Sequence, residues 1–346
     1  MTTAAISPGS AAAAVVDALA LRLLDPAGPA QASTPETATT QLPQAQPTPL
    51  ETALQTAVSR QGGLGSLLAD LAVAVQAPDL PTPVQAAAAS VLALQRPLDT
   101  PLTADDLKQA LSQSGLMLEA RLAADGAPPD DDLKAGLLIL LQALGSPPAG
   151  STKLGSAVSR PAPPYRGGPV QAQAAFASTL SADSASDVIL QRLAQGAEAA
   201  LARQTLMQLA SAPGASGSPA AQTPQWLFEV PFMVPPGAAI ARFEIGRDEE
   251  EHASAGSDET DPIWRARFSL DLDPMGPVHA RISLRGGRVR VMLWAERGAT
   301  AAQLDAQRDA LTQALLGDEL LASVAVFPGA PDAPKPAAGK FVDRAL

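Results

Sequence analysis

The chain contains no cysteine. Disulfides, thiolate metal sites and a cysteine nucleophile are therefore excluded. Aromatic residues make up 3% of the 346 residues, with a single tyrosine, and there are only two histidines. All three Trp and six of the seven Phe follow residue 225, so the front of the chain has few large side chains to bury. A strongly basic stretch is also missing. The net charge is −11, residues 1–225 hold 11 Lys/Arg against 17 Asp/Glu, and residues 226–346 hold 13 against 18. Binding to nucleic acid through phosphate contacts is not expected of such a chain. No Lys or Arg precedes Arg22, so the charged start of a secretory signal is absent. The apolar runs at residues 11–24 and 133–144 are interrupted by charge or too short. Neither reaches the roughly 18–20 apolar residues that span a bilayer, and membrane insertion is not expected.

What is abundant is proline and glycine, 33 and 26 residues, much of it clustered. Together with the alanine-rich front, this composition weakens the case for one continuous core. The reading is an N-terminal part of separate helices joined by Pro/Ala/Gln-rich disordered linkers, followed by a strand-rich domain. The expected segments are 1–102 (low complexity with short helices), 103–145 (helical), 146–183 (linker), 184–212 (a long helix), 213–225 (linker), 226–327 (the domain) and 328–346 (a disordered tail). Short helices are expected at 11–24, in pieces over 54–75 with breaks near Gly62, Gly63 and Gly65, and at 84–94. Thr103 with Asp106 has the form of an N-cap, and Gly115 the form of a stop. Asp130, Asp131 and Asp132 stand where acids favour a helix start, ahead of Leu133, Leu137, Leu141 and Leu144.

From Trp226 the texture changes to alternation. Residues 226–232 and 239–245 read as two strands, with Pro231 suited to an edge. A third strand puts Trp264, Ala266, Phe268, Leu270 and Leu272 on one face and Arg265, Arg267, Ser269 and Asp271 on the other. A fourth has Val278, Ala280, Ile282 and Leu284 opposed to His279, Arg281 and Ser283. Gly286-Gly287 supplies the positive φ values of a tight hairpin, and Val289, Val291 and Leu293 follow on a fifth strand. Thr300 with Gln303 has the form of a capping box opening a helix through Leu304, Leu311 and Leu315. A last strand is expected over 320–327. The fold class is α+β: a mostly antiparallel sheet with a packed helix, in the order β-β-β-β-β-α-β.

The chemistry that the chain could perform is limited. His252 and His279 lack metal-ligand spacing, and no zinc site, P-loop, dinucleotide fingerprint or serine elbow is present. Glu296 and the acids at 248–251 have no spacing that marks an acid–base pair. No cofactor, metal or catalytic residue is assigned. One surface signal stands out: Arg265, Arg267, Arg281, Arg285, Arg288 and Arg290 gather on the outer side of the hairpins of an acidic protein. They serve either to discourage edge pairing or to dock an acidic partner.

A set of ordered motifs runs through the last third. It starts with Trp226 to Pro231, then Phe268, Leu270 and Leu272, then Gly276, Pro277 and Val278. It continues with Ala280 to Leu284 and Val289 to Glu296 with Trp294, and ends in the helix of Leu304 and Leu311. In this order and spacing the segment resembles the C-terminal domain of the flagellar hook-length control protein family. Residues 114–122 followed by 132–135, and residues 204–209, are similar to upstream segments of that family. Gly317-Asp318-Glu319 departs from its pattern. The resemblance implies a secreted ruler that is made in the cytoplasm and leaves through the flagellar type III apparatus. It also implies a switch of export from hook to filament-class subunits. The implied partners are the switch component of the export gate and the hook and hook-cap subunits; the chain itself is expected to be monomeric. A Cys-free, aromatic-poor front suits threading. At about 3.3 Å per extended residue, 225 residues reach roughly 750 Å; as helix they reach roughly 340 Å. The competing expectation is a cytoplasmic ligand-binding or enzymatic α+β module on a flexible tether.

Overall fold

The computed structural model describes residues 48–98, 103–129, 131–145, 160–181, 183–212, 223–234, 237–248, 262–317 and 320–332. The expected helix at 11–24, the acidic segment 249–261 with His252, and the tail beyond residue 332 lie outside these. The helices begin and end where local chemistry says they should. Helix α1 (Pro49–Arg60) opens with a capping box between Thr48 and Glu51. Gly62 and Gly63 separate it from α2 (Leu64–Ala74). Helix α3 (Thr82–Leu92) leads to a two-residue strand, β1 (Arg96–Pro97). Helix α4 (Ala104–Gln113) has the expected box between Thr103 and Asp106 and stops before Gly115, whose φ is +86°. Helix α5 (Leu118–Asp125) has weak periodicity and was not read from the sequence; Gly126 closes it in the left-handed region.

Of the three consecutive acids, Asp132 is the cap of α6 (Leu133–Leu144), accepting the Ala135 N–H at 3.0 Å. Asp131 instead faces Arg121 at 3.6 Å, and Asp130 is outside the described residues. Asp132 is fully buried and its second oxygen has no partner. Burial pushes its carboxyl up, although the Ala135 and Lys134 N–H groups pull it down. A raised carboxyl means that the folded state holds a proton that the unfolded chain has released. This group's contribution therefore falls as pH rises from the ordinary value near ~3.9 through its folded value. Asn caps as well as Asp. Asp132→Asn is thus expected to be at least as stable as the parent at pH 7 and to lose this acid-side slope. Urea unfolding of both chains between pH 4 and 7 measures it, and identical slopes would rule it out.

Helix α7 (Ser186–Ser211) is the spine of the helical part. Leu67, Leu68 and Leu71 of α2, Val84 and Val91 of α3, Leu133, Leu137 and Leu140 of α6, and Ile189, Leu193 and Leu201 of α7 share one core with Ala238 and Ile240 of the sheet. The alanine-rich composition that argued against a continuous core makes this one possible. Small residues let helix axes approach closely: a Cβ on Gly196 of α7 would stand 3.0 Å from Leu67 Cδ1. Among the described residues this buried cluster includes no aromatic residue. Residues 160–181, read as linker, are extended and anchored at both ends. Gln61 donates to Pro161 O at 2.6 Å. Gln173 bridges to Ile240. The buried Asp70 carboxylate accepts from Thr179 N–H at 2.6 Å and Ser178 Oγ at 2.8 Å, with Arg192 3.7 Å away.

The sheet runs in chain order: β1, β2 (Gln225–Val234), β3 (Gly237–Asp248), β4 (Ile263–Leu272), β5 (Gly276–Arg285), β6 (Arg288–Ala295) and β7 (Leu321–Pro328). Strands β2 to β6 are an antiparallel meander. The outer pairs, β1 with β2 and β6 with β7, are parallel. The mostly antiparallel α+β sheet is as expected, with β1 added from the front of the chain. Helices α8 (Gly298–Ala306) and α9 (Arg308–Gly317) form the crossover and pack on β7. They replace the single helix that was expected. The Thr300–Gln303 capping box does not form: Arg297 is the cap residue, and the Thr300 hydroxyl donates across to Met275 O at 2.6 Å. The Met275 carbonyl, in the turn before β5, takes the hydroxyl that a local cap would have used. Strands β2 and β3 are covered on both sides, by α2 and α7 on one face and by Ala110 and Leu111 of α4 on the other.

Candidate functional site: the arginine face of the sheet

Register fixes which side chains share a face. One row crosses the sheet as Glu229, Arg242, Ser269, His279, Trp294 and Phe327. The next runs Leu227, Glu244, Arg267, Arg281, Met292 and Ala325, and the third Gln225, Gly246, Arg265, Ser283, Arg290 and Ser323. Arg285 and Arg288 oppose each other at the hairpin end, flanking Gly286 and Gly287 at φ +50° and +75°. All six arginines singled out in the sequence therefore lie on one face, as alternation predicted.

They do not have one role. Over β2 and β3 this face is buried beneath the helices and becomes an ionic network. Arg203 of α7 and Glu229 are each 1% exposed; Arg203 Nε donates to Glu229 Oε1 at 2.8 Å. Arg203 Nη2 lies 2.7 Å from the same oxygen but off hydrogen-bond geometry, so that contact is Coulombic. Gln173 Nε2 donates to Glu229 Oε1 at 2.6 Å, and Arg203 Nη1 to Gln61 Oε1 at 2.9 Å. Burial pushes the Arg242 guanidinium down, and Arg203 adds to this; Glu229 and Glu244 oppose it. Arg267 belongs to the same network, paired with Glu244 and donating to Gly168 O at 3.2 Å. It is thus a structural residue and not part of a docking surface.

Toward β5, β6 and β7 the face opens. Arg265, Arg288 and Arg290 are exposed, and Arg281 and Arg285 are half-buried. The Arg281 guanidinium stands 5.6 Å over the Trp294 ring, which stacks on Phe327 at 5.5 Å. Arg285 and Arg288 are like charges directly opposite each other at the end of the hairpin.

The other motif residues are structural. Trp226 stacks on Trp264 at 6.2 Å, and Phe268 continues a stack through Phe243 to Phe228. Pro231 lies on β2, whose outer side is paired, among the described residues, only at the two β1 residues. Leu270, Leu272, Val278 and Leu284 share the face opposite the arginines, with Leu270 packed against the Phe228 cluster. Gly276 has φ +74°, and Pro277 accepts the Glu296 N–H at 3.1 Å. Arg297 donates to Pro274 O, clamping the same turn. His279 Nε2 lies 3.0 Å from Glu296 Oε1. Sequence reasoning missed Arg203, Glu229, Arg242 and Arg297. A lone acid within the apolar run of β2 was the one available signal for the first three.

The two best-formed hollows among the described residues hold about 10 Å³ each, the room of one water. No three His, Asp or Glu among the described residues gather around a possible metal ion. No described helix is long and apolar enough to cross a membrane. Toward β5 to β7 the face is thus an open, arginine-bearing sheet beside the Trp294–Phe327 stack. Residues 253–331, less than a quarter of the chain, match the family described as Flagellar hook-length control protein FliK. The match takes in β4 to β7 with α8 and α9, the part that bears the open arginine face. Comparison with curated proteins and with solved structures gives no match.

Proposed function

We propose that this chain is a flagellar hook-length control protein, exported during hook growth, whose C-terminal domain switches export from hook to filament-class subunits. The family match over residues 253–331 carries the reading. The exposed arginines of β4 to β6 support it as the surface that meets the export gate, and the front of the chain serves as the ruler, probing hook and hook-cap subunits. The rival, a ligand-binding or enzymatic module, calls for a concave pocket, and the best hollows hold one water each.

The fold changes where the ruler should be cut. Residues 160–212 share contacts with the sheet, so shortening 146–224 would damage the folded body as well as the reach. Deletions within residues 2–47 remove none of the described contacts between residues 160–212 and the sheet. Removing about 20 residues there is expected to shorten hooks by roughly 65 Å if the segment passes extended, or roughly 30 Å if helical. Deleting 226–327 leaves hook length uncontrolled. Electron microscopy of hooks from a deletion strain carrying each variant decides it. Unchanged length distributions in both variants would sink the proposal.

A further inference from the structure

Strand β7 ends the sheet, and no described residue pairs with its outer side. Its eight residues, Leu-Ala-Ser-Val-Ala-Val-Phe-Pro, carry no charge. Sheet edges are ordinarily blunted by charge, proline or shortness. The opposite edge follows that rule, with a two-residue β1 and Pro231 in β2. Strand β7 has only its terminal Pro328.

The direction of its free backbone groups is fixed. Leu321 N–H donates to Gly287 O at 2.9 Å and Gly329 N–H to Ala295 O at 2.8 Å. In a parallel pair each residue turns its N–H and C=O to the same side, alternating along the strand. Leu321, Ser323, Ala325 and Phe327 thus bond to β6, and Ala322, Val324 and Val326 direct theirs outward. On the arginine face, β7 shows Leu321 opposite Arg288, Ser323 opposite Arg290, Ala325 opposite Met292, and Phe327 opposite Trp294. Leu321 is 65% and Phe327 38% exposed. Between these apolar ends, the small Ser323 and Ala325 leave the guanidinium of Arg290 within reach of a side chain one strand further out, about 10 Å from β6.

We propose that the outer edge of β7 accepts an extended segment of a partner protein as an eighth strand, one in which acidic residues alternate with apolar ones. Outward N–H and C=O groups supply main-chain pairing. A carboxylate opposite Ser323 stands in the row of Arg290, and one opposite Leu321 in the row of Arg288, and each neutralises its arginine. A second copy of this chain fits less well, since edge-to-edge pairing would bring two arginine rows onto one continuous face. The inference rests on the reading of this face as a docking surface.

The test uses the full chain and peptides of about ten residues alternating Glu with Val, followed by tryptophan fluorescence and calorimetry. The Glu peptide is expected to bind saturably and to weaken with salt. The Lys counterpart should not bind. N-methylation of alternate amides along one edge of the Glu peptide should weaken binding at least about tenfold, because the main-chain pairs are lost while the charges remain. Equal binding of the Lys or the N-methylated peptide overturns the proposal, as does a concentration-dependent dimer that the Glu peptide dissolves. Failure of the Glu peptide, with hook-length control still lost in Arg288→Glu/Arg290→Glu, rejects strand addition and leaves the docking reading intact.

Discussion

Glu229→Ala is expected to lower the unfolding free energy by about 3–5 kcal/mol, the cost of leaving one partner of a buried ion pair without the other. Total stability of a domain is of the order of 5–15 kcal/mol, so the loss is a large share of it. The cause is local and specific. One carboxylate oxygen receives Arg203 of α7 and Gln173 of the extended segment, and Arg203 in turn holds Gln61 behind α1. Without it, Arg203 at 1% exposure stays in the core next to the buried Arg242, and two guanidinium charges lose their nearest counter-charge. Removing both partners is different in kind. In Arg203→Met/Glu229→Leu the stranded Arg203 charge is gone and Arg242 keeps Glu244 as a counter-charge, so most of the loss should be recovered, with Gln61 and Gln173 accounting for the remainder. Urea unfolding followed by tryptophan fluorescence measures this, since all three Trp lie in the sheet. A cost below about 1 kcal/mol for the alanine variant would mean that water replaces the carboxylate and that the network does not latch helices to sheet.

The latch explains why the sheet was legible in the sequence and the assembly was not. Period-2 alternation from Trp264 to Ala295 determines which residues face together, because a slip of one residue would expose Phe268, Ala280 and Val291 and bury arginines. Gly286 and Gly287 fix the hairpin. The opposite holds in α7, where buried alanines, Arg192, Arg203 and Gln204 surround the helix and no apolar stripe stands out. An arginine within a helix ordinarily signals solvent. Here it signals Glu229, a partner 26 residues away, and only the folded chain shows it. Arg265 and Arg267 present the same difficulty on one strand: identical residue, identical face, yet one is exposed and the other is paired with Glu244. Arg267 meets the Glu244 carboxylate and the Gly168 carbonyl, contacts that spacing alone does not encode.

A helical core whose described cluster has no aromatics or disulfides, packed on the sheet through Ala238 and Ile240 and tied to it by Arg203 with Glu229, matters for a chain proposed to pass through an export channel. Leucine burial contributes about 1.5–3 kcal/mol per fully buried side chain, whereas a buried ion pair adds little net stability and is costly mainly when one partner alone is removed. Among the described residues, Arg203 with Glu229 ties α7 to β2, and Arg192 with Asp70 ties α7 to α2.

Charge reversal at Arg288 and Arg290 tests the other side of that division. Both residues are exposed on β6. Surface substitutions of this kind change stability by no more than about 0.5 kcal/mol. Reversal at Arg288 also replaces the like-charge opposition with Arg285 by an attraction, so the change should be neutral or slightly stabilising. If the face docks an acidic partner, the same two changes turn attraction into repulsion at each contact, with an expected loss of about 3 kcal/mol or more in binding, over a hundredfold. Hooks made with Arg288→Glu/Arg290→Glu should then grow past the parent length, while the purified variant unfolds at the parental urea concentration. Arg267→Ala should do the reverse. It removes the partner of Glu244 and shifts the unfolding midpoint, and it reaches hook length only through reduced amounts of folded protein. If the reversed pair folds normally and hooks keep their parent length, the arginines serve only to keep sheets from pairing. If both variants act through stability alone, the site has been placed on the wrong face.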